Sequence, residues 1–307
     1  MDWLSQLLHI VPVYGRLEIR CLYAAPWRLA LDRSLPGEIP YHIVVSGTAM
    51  LEDPASGALR TITAGDILLF PHGRAHVLHD GSGASPVTAH PHPGLNLTID
   101  RNTATGNSLD MLCGRFIVTL PHDRLLHDYL PDDLVVRSGG QSTTAGAQLA
   151  SLISLMRTEA SIESLGGYAM LNSLSAAMFA LVLRVASESN APPTGLLAAV
   201  GHPRLAPALT AMFQQPSHPW TLLELARLCH MSRATFVRHF QQTIGRSASD
   251  LLMDIRMTQA ALELRRSSAS TSAVAEAAGY QSDAAFQRAF KQRMGMTPAR
   301  WRREGRS

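Results

Sequence analysis

Apolar residues recur along the chain with two different periods. Between Arg16 and Leu120 they fall in short β-branched or aromatic runs, Leu17–Tyr23, His42–Val45, Ala49–Glu52, Ile67–Phe70 and Phe116–Leu120, separated by turn residues. Runs of that length broken by Gly, Pro, Asn and Asp predict an antiparallel barrel or sandwich. Gly81–Asn107 is rich in Gly, Ser, Pro, Thr and Asn and reads as a long loop or insertion. From Ala145 to Ala186 the spacing becomes helical: Leu149, Leu152, Leu155 and Met156 form one pattern, and Leu171, Leu174, Met178, Leu181, Val182 and Val185 another. Ser187–Thr194 is polar and proline-bearing, as a linker is, and everything after it can be helical. The pattern therefore predicts an α+β chain: a β-barrel over residues 1–136, a helical dimerisation or linker segment over 137–194, and an all-α domain over 195–307.

The all-α part repeats itself. At an offset of 50, Ser232 matches Ser282, Phe236 matches Phe286, Arg238 matches Arg288, Phe240 matches Phe290 and Gly245 matches Gly295. Each copy holds a helix (Leu222–Cys229; Ser272–Ala278), a short turn, an N-cap (Ser232; Ser282 or Asp283) and a second helix. That is the grammar of a helix-turn-helix, written twice. The Phe pairs, four residues apart, face the core, whereas positions just after the caps project outward toward base edges in a major groove. Charge points the same way. The chain is only +3 overall, but residues 202–307 hold 15 Lys and Arg against 7 Asp and Glu, a net +8, leaving −5 on residues 1–201. A basic tail on an acidic body suggests a polyanion partner for the tail. The candidate DNA-binding residues are Ser232, Arg233, Thr235, Arg238 and His239 in the first copy, with Gln281, Ser282, Asp283, Ala284, Gln287 and Arg288 in the second. Arg suits bidentate guanine contacts, Gln suits adenine, and Ser or Thr serves bases or phosphates. Arg238 and Arg288 have a second reading, as ion pairs within the domain.

Gly279-Tyr280-Gln281-Ser282, Phe286-Gln287-Arg288-Ala289-Phe290-Lys291 and Gly295-Met296-Thr297-Pro298 with Trp301-Arg302 closely resemble the AraC/XylS family signature. Met231-Ser232-Arg233-Ala234-Thr235-Phe236-Val237-Arg238-His239-Phe240 is similar to the same family's first motif. The resemblance covers about a third of the chain. It implies two helix-turn-helix units joined by a long helix, about Asp250–Arg265, in a transcriptional regulator of a double-stranded DNA operator, with RNA polymerase as a further partner. The two recognition helices would enter successive major grooves about 34 Å apart. In the N-terminal part, Gly65 to His76 matches the second cupin motif, a Gly, five residues, Pro-x-Gly, two residues, then His. This implies a small β-barrel with His76 in its lumen. The first cupin motif is degraded: Arg33, Leu35 and Pro40 stand where the family keeps two His and a Glu. The usual catalytic metal site is therefore not expected, nor is an enzyme.

Cys21, Cys113 and Cys229 are too few for a disulfide framework, and Cys229, ending an apolar helix, reads as core. His42 lies two residues after Pro40, so alternation turns it to the same inward face, from which it can approach His76. With Cys21 on the first apolar strand they compose a plausible Zn set of Cys21, His42 and His76. The alternative is that both histidines are hydrogen-bonded lumen residues and Cys21 is core. His72, His79, His90 and His92 are less well placed. The opening Met1 to Leu8, Cys21, His42, the His76 motif and Cys113-Gly114 before a strand together resemble the cupin-type AraC regulators that sense reactive chlorine. That resemblance implies Cys21 and Cys113 as the redox-sensing pair and an oxidant as effector. The residues themselves show two cysteines 92 positions apart. A small organic effector in the barrel is the rival reading, and a metal-dependent cupin enzyme the third. No apolar run approaches the roughly 20 residues of a bilayer span, and Met1-Asp2-Trp3 lacks the basic start of a secretory signal. A cytoplasmic protein without a membrane partner is expected, and the helices of Ala145–Ala186 read as subunit-contact helices of a homodimer or, alternatively, as core helices packed on their own barrel.

Overall fold

Strands in the N-terminal part pair into two facing sheets. The computed structural model describes residues 2–119, 123–138, 143–189, 195–199 and 202–304. Its strands are β1 Val13–Ala24, β2 Arg28–Leu31, β3 Glu38–Ser46, β4 Thr48–Glu52, β5 Leu59–Thr63, β6 Asp66–Leu69, β7 His76–His79, β8 His90–Pro93, β9 Thr98–Arg101, β10 Ser108–Val118 and β11 Leu134–Arg137. One sheet runs β11-β6-β3-β10-β1-β9-β8 and the other β2-β7-β4-β5. Their inner faces share one core, in which Cys21, Val44, Leu68, Met111 and Cys113 from the first sheet meet Ala49, Leu51, Ile62 and Leu78 from the second. The helices are α1 Trp3–Ile10, α2 Arg124–Tyr129, α3 Thr144–Glu159, α4 Gly167–Ser187, α5 Ala206–Gln214, α6 Leu222–Leu228, α7 Arg233–Ile244, α8 Ala248–Arg266, α9 Thr271–Ala277, α10 Asp283–Met294 and α11 Pro298–Glu304.

Several sequence expectations change here. The stretch read as one long loop, Gly81–Asn107, contains β8 and β9, and β9 runs parallel to β1 with Cys21 opposite Asp100. His-Pro-His-Pro carries no strand signal, and β9 is held by its neighbour rather than by its own composition: the Asn102 amide bonds both the N–H and the carbonyl of Ala24 at 2.8 Å. Of the run Phe116–Leu120, Phe116–Val118 is the end of a longer strand, and Leu120 lies outside the described residues. Asp110, Gly114 and Arg115 hide the strand's first half, because Asp110 is paired outside the core with Arg20 at 2.7 Å. Cys113 therefore sits within β10 rather than before it. An apolar segment of about bilayer length does exist: α4, at 21 residues, is long and apolar enough by composition. Its Leu171, Met178, Phe179 and Val182 are buried, and its Ser175 Oγ lies 2.8 Å from Tyr41 Oη of β3. Asn172 of the same helix accepts from the N–H of Leu17 on β1.

Packing divides the chain into two units. Residues 13–118 and 131–189 form the sheet unit with α3 and α4; residues 1–12, 119–130 and 190–307 form the helical unit. The short α1 and α2, read in sequence with the barrel, thus pack with the helical unit, where Trp3 faces Phe213 of α5. Of the expected linker Ser187–Thr194, Ser187 ends α4 and residues 190–194 lie outside the described residues.

In the helical unit the two copies share their local chemistry. Ser232 and Ser282 cap α7 and α10, accepting from Thr235 N and Ala285 N. Phe236 and Phe240 pack 5.5 Å apart, Phe286 and Phe290 5.6 Å apart, all fully buried. The helices preceding them, α6 and α9, end in the same Schellman motif. His230 N bonds Arg227 O and Met231 N bonds Ala226 O; Gly279 N bonds Glu276 O and Tyr280 N bonds Ala275 O. The repeat is therefore 49 residues through the first helices and 50 through the second, with Gln281 the extra residue in the second turn. The left-handed position is filled by Gly279 (φ 80°) in one copy and by His230 (φ 52°) in the other.

Candidate functional site

The exposed faces of α7 and α10 form the first candidate site. Arg233 and Arg238 on α7, and Asp283, Ala284, Gln287 and Arg288 on α10, are exposed; Gln281 is exposed in the turn before the cap. Thr235 and His239 are half-buried, and Thr235 Oγ1 accepts from the Ser232 hydroxyl at 2.9 Å. Ser232 and Ser282 thus hold the helix starts, while the positions one and two residues later face outward. Among the described residues neither Arg238 nor Arg288 forms an ion pair, which leaves both guanidiniums available to a nucleic acid. Sequence reasoning missed Val237. An apolar residue in a helix reads as core, yet Val237 is 42% exposed. The repeat carries the signal for it, since Val237 stands opposite Gln287, and an exposed branched side chain there suits a thymine methyl.

The second candidate site is buried between the sheets. In β10, Cys113 is the register partner of His42 on β3 and of Ile19 on β1, while Cys21 pairs with Met111. Residues two apart share a face, so Cys21, Cys113 and His42 point into the core from three adjacent strands. His76 enters from β7 of the opposing sheet. The side chains form a row: Cys21 Sγ to Cys113 Sγ 3.7 Å, Cys113 Sγ to His42 Nδ1 3.1 Å, His42 Nε2 to His76 Nε2 2.8 Å, and His76 Nδ1 to the Arg74 carbonyl 3.0 Å.

Donor and acceptor roles follow from the end of that row. A carbonyl only accepts, so His76 Nδ1 carries a proton and, in a neutral ring, Nε2 accepts. His42 must then donate from Nε2 and accept at Nδ1, which makes the Cys113 thiol a donor to His42. Neutrality has a physical cause: burial holds His42 well below the usual imidazole range and His76 at about 4. Phe70 stacks on His76 with ring centroids 3.7 Å apart and closes that side. The Cys21 contact and burial push the Cys113 thiol well above the ordinary thiol range.

The structure thus brings together the two expected histidines, and it places Cys113 rather than Cys21 against His42. Of the set Cys21, His42 and His76, the two histidines meet directly, and Cys21 lies against Cys113. His42 is engaged on both ring nitrogens, and among the described residues no group of three or more His, Cys, Asp or Glu side chains is arranged to hold a metal ion. Leu35, where a cupin ligand would fall, is 69% exposed.

A two-sheet barrel with a motif histidine in its core, followed by two helix-turn-helix units on one long helix, defines a class. The chain belongs to the AraC-family transcriptional regulators with an N-terminal cupin domain. The family profile described as Cupin matches residues 2–188, and that described as Helix-turn-helix domain matches residues 225–304. Its relatives include an HTH-type transcriptional regulator of Haemophilus influenzae, 30% identical over 99% of both chains. They also include the HTH-type transcriptional regulator MtrA of Neisseria gonorrhoeae, 27% identical over 99% of both. The RCS-specific HTH-type transcriptional activator RclR of Escherichia coli is 27% identical over 98% of this chain and 97% of that one.

Proposed function

We propose that this DNA-binding regulator is an oxidant-responsive activator in which Cys21 and Cys113 join as a disulfide, with reactive chlorine as effector. The observation that carries the reading is the 3.7 Å approach of two buried sulfurs on neighbouring strands, one of them hydrogen-bonded to His42. A buried, protonated thiol reacts slowly with mild oxidants. The response is thereby confined to a strong, small electrophile, and His42 Nδ1 already accepts the proton that must leave Cys113. In the balanced step, chlorine transfers from hypochlorous acid to one sulfur, releasing water, and the second sulfur displaces chloride. Two thiols and one hypochlorous acid give one disulfide, one water, one chloride and one proton; the sulfurs lose two electrons and chlorine gains them. Closing the gap to about 2.05 Å draws β1 and β10 together. The name of the Escherichia coli relative supports activation, and thereby contact with RNA polymerase.

The test is a reporter dosed with hypochlorous acid in Cys21→Ser and Cys113→Ser backgrounds. Both variants are expected to lose the response and keep basal operator binding. A normal response in both would sink the thiol reading and favour a small organic effector. Metal content decides the accompanying question. Protein purified without a histidine tag is expected to hold far less than one Zn per chain; near one Zn, released as thiols disappear, would instead make Cys21, His42 and His76 ligands. We propose further that the regulator works as a homodimer through α3 and α4. Leu155, Ile162, Leu165, Tyr168 and Met170 are all exposed on this hairpin, and large apolar side chains left in water on one element favour a contact surface there.

A further inference from the structure

The described residues of the segment 119–130 fall within the stretch matched by the Cupin profile, yet they pack with the DNA-binding unit. Of this excursion, 123–130 follows the end of β10, the strand that carries Cys113, and reaches α8 through α2. Its attachment is apolar and polar at once. Leu125, Leu126, Tyr129 and Leu130 are buried. Tyr129 Oη donates to Asp254 Oδ2 at 2.8 Å. The Arg246 guanidinium lies 5.4 Å over the Tyr129 ring and pairs with Asp128 at 3.2 Å. Gly195, with φ 95°, lets the chain pass so close that a Cβ there would overlap the Tyr129 carbonyl oxygen.

Each anchor is a joint of the DNA-binding machinery. Arg246 lies between Gly245, which ends α7, and Ser247, which caps α8. Asp254 offers its other oxygen, Oδ1, to Arg293 at 2.8 Å, and Arg293 also reaches Asp250 at 2.9 Å. Arg293 belongs to the last turn of α10, the second recognition helix. One carboxylate is therefore shared by the excursion and by that helix, while Arg246 ties the excursion to the end of the first. A half-buried carboxylate needs both donors, because an oxygen left without one bears its desolvation uncompensated.

We propose that α2 is the output arm of the sensor unit: seated on α8, it sets the angle between the two recognition helices and so the operator spacing that the protein accepts. The reason is geometric. The 19 residues of α8 span about 28 Å at about 1.5 Å per residue, so a small tilt of α10 at one end moves its outer face relative to α7. The two faces must match a groove period of about 34 Å. The inference rests on DNA binding and not on the chemistry of the cysteines.

The test uses the full-length protein with Tyr129→Phe, which removes one hydroxyl, and Asp128→Asn, which removes the charge that pairs with Arg246. Probes are labelled duplexes selected by the wild type from a random library, the same duplexes with one base pair inserted or deleted between the two contacted segments, and duplexes holding one segment alone. Both variants are expected to bind single-segment duplexes within twofold of wild type, while the preference for the selected spacing shrinks at least fivefold. An affinity loss equal on every duplex, or an unchanged spacing preference in both variants, would overturn the proposal. Failure of the wild type to select any duplex would overturn DNA binding itself and this inference with it.

Discussion

His230 and Gly279 do the same job with different side chains. Both stand in the left-handed conformation that ends the first helix of a helix-turn-helix, and a residue with a Cβ bears a steric cost there of about 1–2 kcal/mol. His230→Gly should therefore stabilise the protein by about 0.5 kcal/mol after the added freedom of the unfolded chain is deducted. Chemical denaturation measures it, and a destabilised variant would show that the imidazole makes a compensating contact. On the DNA face, Arg233 is exposed one residue after the Ser232 cap. Arg233→Ala should relax preference at one base by about 1–3 kcal/mol, whereas loss of a phosphate contact would weaken all sequences alike. Binding to a panel of single-base operator variants separates the two. Residues of this kind were legible because caps and exposed helix positions are defined within one turn. Val237 was not, since apolarity alone does not say which face of a helix carries it.

At the scale of elements, legibility followed length. The helices of the repeat appear close to their expected bounds: Asp250–Arg265 became α8 Ala248–Arg266, and Leu222–Cys229 became α6 Leu222–Leu228. Strands of four or five residues, such as β2, β7 and β11, contain too few positions for an alternation to register. In β10 both Leu112 and its neighbours Met111 and Cys113 are buried, so no alternation exists to be read. The α3–α4 hairpin was legible as two helices, while its outer apolar face emerged only from packing, which buries Leu171 and Met178 and leaves Leu155 and Leu165 outside. Leu165 is fully exposed. If a second copy covers this face, Leu165→Glu should weaken dimerisation at least tenfold, since a carboxylate would replace an apolar contact. Sedimentation across a concentration series checks it, and an unchanged dimer would remove this hairpin as the interface.

The whole molecule carries a pH signature through its buried histidines. Unfolded imidazoles titrate at about 6.5, whereas burial in the fold holds His76 at about 4 and His42 well below the usual imidazole range. Between those values the unfolded chain binds more protons than the folded one, so stability is at its full value above about pH 6.5 and declines as pH falls toward 4. For His76 alone the loss amounts to about 3 kcal/mol at most. Urea denaturation at pH 7, 5.5 and 4.5 should show the decline, and His76→Gln should flatten it; an equally steep decline in the variant would assign it to other groups. The same scale shows why chain order is a poor guide to packing here. The chain passes between its two units four times, and α2 joins the DNA-binding unit although it follows a barrel strand.

By itself the sequence determined the paired helix-turn-helix, its caps, its outward residues and the presence of a barrel with His76 inside. Each of these depends on helix and strand periods or on motifs about a dozen residues long. Tertiary structure decided the rest. Cys113 meets His42 across 71 positions of chain and Cys21 across 92, and only strand register sets those encounters. Tyr129 meets Asp254 across 125 positions, through a contact that neither periodicity nor local composition records. Local preference acts through neighbouring residues, whereas a site assembled from three strands and an opposing sheet exists only once the register and the facing of the sheets are settled.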